Sequence, residues 1–163
     1  MPSWADDPSI GNRMINARAE TVAGKPAFRS AFKHRRCLVP ASGFFEWRAE
    51  GRTKTPHYFR REDDEPFAFA GLWERWSKGP APVESVAIIT TEPNDLVAPV
   101  HDRMPAILRP EDYAQRLDPE EQASDLHALL APFPAGLMAA HPVGTLVGSP
   151  RVDRPECIEP VAS

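Results

Sequence analysis

The sequence predicts a single α+β domain over residues 1–163, with a mostly antiparallel β core, barrel-like or strongly curved, and a few short helices. Three observations carry that expectation. Short apolar stretches with strand-like alternation recur between Gly, Pro and acidic turn signals. The 19 prolines in 163 residues are about 12% of the chain against a usual 5% or so, which disfavours long helices. The length suits one domain with a real core, and 42% apolar with 26% charged residues is ordinary for a globular protein.

In chain order, residues 1–24 read as irregular, broken by Pro2, Pro8, Gly11 and Gly24. They contain the stretch from Met14 to Thr21, where Asn16 and Arg18, two apart in an extended segment, point the same way. Pro26 starts a helix to about Arg35, with Phe28, Ala31 and Phe32 on one side and Lys33, Arg35 and Arg36 near its end. Strands follow at Cys37–Val39 and Gly43–Arg48, a hairpin turn at Glu50-Gly51 and a return strand at Pro56–Arg60. Pro66–Trp76, apolar on both faces, is a central strand, and Val83–Thr91 is another buried one. Residues 92–99 form a turn or loop that delivers Val100-His101-Asp102-Arg103-Met104-Pro105. A brief strand at Ala106–Leu108, helical stretches at Pro110–Leu117 and Pro119–Leu130, and short ordered pieces at Leu137–Val143 and Cys157–Val161 complete the chain. There is no internal repeat, linker or low-complexity segment.

Several function classes lose weight at once. No apolar run approaches the roughly 18 residues of a membrane span, and the N-terminus lacks the pattern of a signal peptide, so a cytoplasmic protein with no membrane partner is expected. Cys37 and Cys157 are too few for a metal cluster or disulfide framework, and both are expected to be small buried apolar residues. No nucleotide-binding, hydrolase-elbow or zinc motif is present. The five histidines lack metal spacing, so neither metal nor cofactor is expected. The net charge of −4 is unevenly spread: residues 1–61 carry twelve Lys/Arg against five acids, leaving −11 on the remainder. Two outcomes are open, a basic face for a polyanion or charges that mix once folded.

The stretch Arg35–Arg48 holds the most suggestive chemistry. Strand alternation puts Phe45 and Trp47 on one face and Phe44, Glu46 and Arg48 on the other. A carboxylate among aromatic residues is partly desolvated, which raises its proton affinity toward the range useful for acid/base work. The competing reading is an edge-strand Glu paired with an Arg. His101, in a loop between buried segments, is either a structural residue or a second proton carrier.

Five ordered motifs, Asn-Ala-Arg-Ala-Glu-Thr at 16–21, Arg-Cys-Leu-Val-Pro-Ala-Ser-Gly-Phe-Phe-Glu-Trp at 36–47, Phe-Ala-Gly-Leu-Trp at 69–73, Thr-Thr-Glu-Pro-Asn at 90–94 and Val-His-Asp-Arg-Met-Pro at 100–105, resemble the SOS response-associated peptidase (SRAP) family. The resemblance runs from Pro2 to His-Pro-Val at 141–143. It implies shielding of abasic sites in single-stranded DNA through a covalent crosslink to an amino-terminal cysteine: the α-amine attacks the ring-opened sugar aldehyde and the thiol closes the imine into a thiazolidine. By matching motifs, Asn16 would hold the nucleophile, Glu46 would be the general acid/base, and His101 would assist at the sugar hydroxyl or in proton transfer. Arg18 and Arg103 would hold phosphates, Trp4 and Trp47 would offer stacking surface, and Thr90 a polar contact.

The chain departs from the family pattern at its start, where Met1 is followed by Pro2 rather than Cys. An N-terminally truncated domain that lacks the nucleophile is therefore expected. Gly148-Ser149 also stands where relatives often carry an Asn. The partner implied is single-stranded DNA with an abasic site, bound by a monomer associated with the nucleoid during DNA damage. Two other functions stay open: a single-stranded DNA-binding module without chemistry, and a peptidase limited to self-processing.

Overall fold

The structure, a computed structural model, describes residues 2–161. Its strands are β1 (Asn16–Arg18), β2 (Arg36–Ala41), β3 (Phe44–Glu50), β4 (Thr53–Arg61), β5 (Phe67–Trp76), β6 (Val83–Thr91), β7 (Met104–Pro105), β8 (Ile107–Leu108) and β9 (Met138–Pro142). Four short helices accompany them: α1 (Ala19–Val22), α2 (Arg29–His34), α3 (Tyr113–Leu117) and α4 (Ala123–Ala128). The strands form a curled half-barrel of two sheets, one ordered β1-β6-β5-β2 with β7 and β8 attached, the other β3-β4-β9. Every pairing is antiparallel except β1 with β6.

The expected α+β class and antiparallel bias hold, and β6 has the expected bounds. The helices are shorter than the sequence suggests. Residues 25–28 form a turn, and α2 begins only at Arg29; the buried set Phe28, Ala31 and Phe32 is as expected. Pro110–Leu117 divides into a 3-10 turn over 110–112 and α3, and the stretch after Pro119 becomes helical only over Ala123–Ala128. The irregular N-terminal segment contains a strand, because Ala17 is buried between exposed Asn16 and Arg18 and pairs beside β6.

Two apolar clusters hold the sheets. Helices α1, α2 and α4 cover one face of the larger sheet with Val22, Phe32 and Leu126, joined by Leu130 just after α4, packed on Ala70, Leu72, Ile89 and Leu108. Phe44, Phe59, Phe67, Phe69, Val97, Met104 and Met138 form the second cluster, in which Phe44 stacks on Phe59 at 5.1 Å between centroids. Each fully buried side chain of this size contributes about 1.5–3 kcal/mol.

One feature of the larger sheet positions the site. Strands β5 and β6 pair from Trp76↔Val83 to Gly71↔Ile88 and then separate. Residues 104–108 enter the gap: Ala106 accepts from the Ala70 N–H and donates to the Ile89 carbonyl, both at 2.8 Å, with β7 on β6 and β8 on β5. The segment just before β7 carries His101.

Charge is spread by local pairing. Arg35 binds Glu74 at 2.8 Å, Arg48 pairs with Glu50, Arg60 with Asp64 and Arg61 with Asp63. Arg36 is buried and donates to the carbonyls of Arg116, Phe32, Lys33 and Asp118. Of the two outcomes open in the sequence, mixing describes these residues, because their acids come from adjoining turns and strands. Cys157 is buried as expected, but Cys37 is only half-buried, because β2 is an edge strand whose one partner is β5.

Candidate functional site

The β3–β4 hairpin is aligned by its register, Phe44↔Phe59, Glu46↔His57 and Arg48↔Thr55 on one face, Phe45↔Tyr58, Trp47↔Pro56 and Ala49↔Lys54 on the other. Gly43 permits the hairpin to close, since a Cβ there would lie 2.4 Å from Tyr58 ring carbons and 2.5 Å from the Phe59 carbonyl oxygen. Along the first face burial falls from Phe44 in the core, through Glu46 with its side chain 22% exposed, to Arg48 in solvent. Glu46 thus sits at the rim of the aromatic cluster, where desolvation raises its pKa above the usual carboxyl value. His101 opposes that rise and Asp102 adds to it. No arginine pairs with it among the described residues, so the edge ion pair weighed above is absent.

What faces Glu46 is His101, with Nε2 at 3.8 Å from Oε2. Asn94 builds the loop that brings it there: Oδ1 accepts from the Leu96 and Val97 N–H groups, and Nδ2 donates to the Phe133 carbonyl at 2.7 Å. The Val97 carbonyl then accepts from the His101 N–H at 3.0 Å. On the ring's other side Nδ1 lies 3.1 Å from both the backbone N and the carbonyl O of Arg103. Either neutral tautomer therefore has a backbone partner, and the proton can sit on Nδ1 or Nε2 without leaving Nδ1 unpaired. The 3.8 Å gap exceeds a direct hydrogen bond and suits two groups that act on a third between them.

Glu46, Trp47, Lys54, His101 and Gly148 line an open cleft of about 340 Å³. Because β3 is the edge strand of its sheet, the cleft takes in side chains from both of its faces. A Cβ at Gly148 would meet nothing within 4 Å, so the cleft has room for a larger side chain there.

The other expected site residues fall into two groups. Arg18 pairs in register with Thr90, and Asn16 projects on the same face about 7 Å along the strand. Arg103 connects this edge to His101: its guanidinium donates to the Thr90 carbonyl at 2.6 Å and grips Glu20 through two bonds of 2.7 and 3.0 Å. Glu20 is held below the usual carboxyl range by that bond. An incoming phosphate at Arg103 therefore competes with Glu20, whereas Arg18 makes no hydrogen bond or ion pair among the described residues. Trp4 is exposed but stands apart: its carbonyl accepts from Lys78, beyond the Trp76↔Val83 end of the β5–β6 pair, about 20 Å along β6 from Thr90. Sequence reasoning passed over Lys54 and Asn94. Asn94 lies in a quoted motif and its Asn-to-backbone turn chemistry could have been anticipated; Lys54 carries no local signal.

Neither cysteine belongs to the cleft. The Cys37 thiol is pushed up by burial, with a smaller opposing effect of Arg116, and lies in β2 against Gly71. Cys157 sits in a C-terminal turn, its Sγ 3.9 Å from the Val152 carbonyl. Pro2 is buried against Met14, Phe28 and Trp73.

Comparison with known proteins gives a consistent result. The family described as SOS response associated peptidase (SRAP) matches residues 1–150. The abasic site processing protein YoqW of Bacillus subtilis is 44% identical over 162 residues, 98% of this chain and 72% of that protein. The abasic site processing protein HMCES of Gallus gallus is 32% identical over 185 residues, 99% of this chain and 55% of that protein. A crystal structure of a Bacteroides thetaiotaomicron protein superposes with a TM-score of 0.90 at 32% identity, covering 99% of this chain and 73% of that one.

Proposed function

We propose, from the premise that the chain belongs to the SOS response associated peptidase (SRAP) family, that it processes abasic sites in DNA and that the Glu46–His101 cleft is where the sugar reacts. The observation that carries this reading is the desolvated carboxyl of Glu46 facing the two-way proton carrier His101 across an open cleft. An abasic site in its ring-opened form is an aldehyde. An amine adds to it to give a carbinolamine, which must lose its hydroxyl as water to become an imine. The addition removes a proton from nitrogen and the dehydration delivers one to oxygen, so one group of raised pKa can serve both steps in turn. Glu46 takes these roles, and His101 moves the proton at the sugar hydroxyl.

The partner is single-stranded DNA. Extruding a sugar into a cleft beside Trp47 costs least where no complementary strand must be unpaired, and the half-buried Trp47 indole lining the cleft suits an unstacked base. Arg18 holds phosphate on the β1 side and Asn16 steadies the nucleophile. The nucleophile is the amino-terminal cysteine that the family resemblance implies; Cys37 and Cys157 lie off the cleft. Its amine forms the imine and its thiol then adds to that carbon, closing a thiazolidine with the proton passed to nitrogen.

The test extends the chain upstream so that it begins Met-Cys and incubates it with an oligonucleotide bearing one abasic site. A covalent adduct stable to denaturing electrophoresis, lost on Cys→Ala, is expected. No adduct from the extended protein, or one that survives Cys→Ala, contradicts the crosslinking chemistry. Salt-sensitive binding without adduct would instead mark a non-catalytic binding module.

A further inference from the structure

Lys54 is the cation of the Glu46 cleft. It lines the cleft with Glu46, Trp47 and His101, is exposed, and makes no hydrogen bond or ion pair among the described residues. Of the two hairpin acids, Glu50 is held by Arg48 and by Thr55 at 2.6 Å, and Glu46 faces His101. By the pairing register Lys54 shares a face with Trp47, one position diagonally across the hairpin, so an ammonium and an indole stand side by side at the cleft mouth. That combination fits a nucleotide, base against the ring and phosphate against the cation.

Arg18 offers a second cation without a hydrogen bond or ion pair among the described residues, near Glu20. Arg18 lies on the larger sheet, tied to His101 through Thr90 and Arg103, whereas Lys54 lies on the three-stranded sheet. Glu46 lies on the same sheet as Lys54, and His101 bonds the backbone of Arg103, whose guanidinium reaches Thr90, the register partner of Arg18. On the hairpin Arg48 is occupied by Glu50 and Arg52 lies in the turn, outside the cleft lining, so Lys54 is the cation that a polyanion crossing Glu46 meets on this side.

We propose that Lys54 is a phosphate-holding residue that binds the backbone next to the abasic sugar, on the flank opposite the one held by Arg18. This rests on reading the Glu46 cleft as the abasic-site centre. The two residues thereby fix both ends of the strand around the sugar and set its register over Glu46.

The test is binding of fluorescent single-stranded oligonucleotides carrying a tetrahydrofuran abasic analogue, followed by anisotropy across a salt series, for wild type, Lys54→Gln, Lys54→Arg and Arg18→Gln. Lys54→Gln should weaken binding about fivefold at low salt and reduce the salt slope by about 0.7, the value of one single-strand phosphate, while Lys54→Arg retains both. With oligonucleotides ending at the lesion on one side or the other, the Lys54→Gln loss should survive on only one of the two and the Arg18→Gln loss on the other. Equal binding by Lys54→Gln and wild type on every oligonucleotide overturns the proposal, as does loss by both variants on the same half. A borohydride-trapped adduct on natural abasic DNA that disappears in Lys54→Arg also overturns it, making the side chain an amine nucleophile. Wild type that binds intact and abasic strands equally contradicts the abasic reading alone, because the Lys54 difference is then read on intact strands. Wild type that binds no oligonucleotide contradicts both.

Discussion

Glu46 combines a functional placement with an energetic cost. A carboxyl titrates near 4.5 when unfolded, and burial raises Glu46 above that in the folded chain. Between the two values the folded protein binds the extra proton, so stability is full below the unfolded value and declines as pH rises through the folded one. Glu46→Gln has no charge to bury and should be more stable than wild type at pH 8, by up to about 1 kcal/mol, with the gap closing near pH 4. Thermal unfolding across pH checks this; a variant less stable at pH 8, or a gap that persists in acid, contradicts the desolvation assigned to Glu46. The residue's setting was legible in the sequence because alternation around Phe45 and Trp47 is local. The capture of Arg103 by Glu20, 83 residues apart, was not, since the parallel β1–β6 pairing that brings them together leaves no mark in either segment. Trp4 illustrates the converse: its carbonyl bond to Lys78 is fixed by the far end of the β5–β6 pair, a distance no motif encodes.

Among the elements, the hairpin and the wedge of residues 104–108 set the site. Strands β5 and β6 could be read directly, one apolar on both faces and the other bounded by turn signals. Their separation beyond Gly71↔Ile88 could not, because it depends on Ala106 bonding both strands at once. Helix lengths were overestimated because apolar spacing continues through turns, as at Phe28, whose side chain is buried just before α2 begins. Gly43 is the hairpin's tightest point, and Gly43→Ala should destabilise by about 1–3 kcal/mol, since Tyr58 and the β4 backbone would have to shift. Gly136, with nothing within 4 Å of an added Cβ, serves as the control and should change by less than about 0.5 kcal/mol. Urea unfolding midpoints compare the two; equal midpoints would show that the hairpin closes without the contact described.

For the whole molecule, two sheets meeting over one aromatic cluster bring a carboxyl from the smaller sheet against a histidine delivered by the larger. The excess of positive charge in residues 1–61 was legible, and so were the near-sequence pairs Arg48–Glu50, Arg60–Asp64 and Arg61–Asp63; the Arg35–Glu74 pair, 39 residues apart, was not, because the β2–β5 pairing brings it together. With Arg18 and Lys54 as the cations flanking the cleft, binding of single strands should depend only modestly on salt. Two or three phosphate contacts give a log–log slope of about −1.5 to −2. A slope of −4 or steeper in a salt titration would indicate a broad basic footprint instead.

The central claim is that Glu46 transfers the protons of imine formation. Its most direct measurement is the single-turnover rate of adduct formation on an abasic oligonucleotide by the chain extended to begin Met-Cys, with Glu46 and with Glu46→Gln. Loss of a positioned acid/base group should slow the reaction by about 10²–10⁴-fold while binding of the tetrahydrofuran analogue stays within a few-fold of wild type. A Glu46→Gln protein that forms adduct within about threefold of the wild-type rate would contradict the claim.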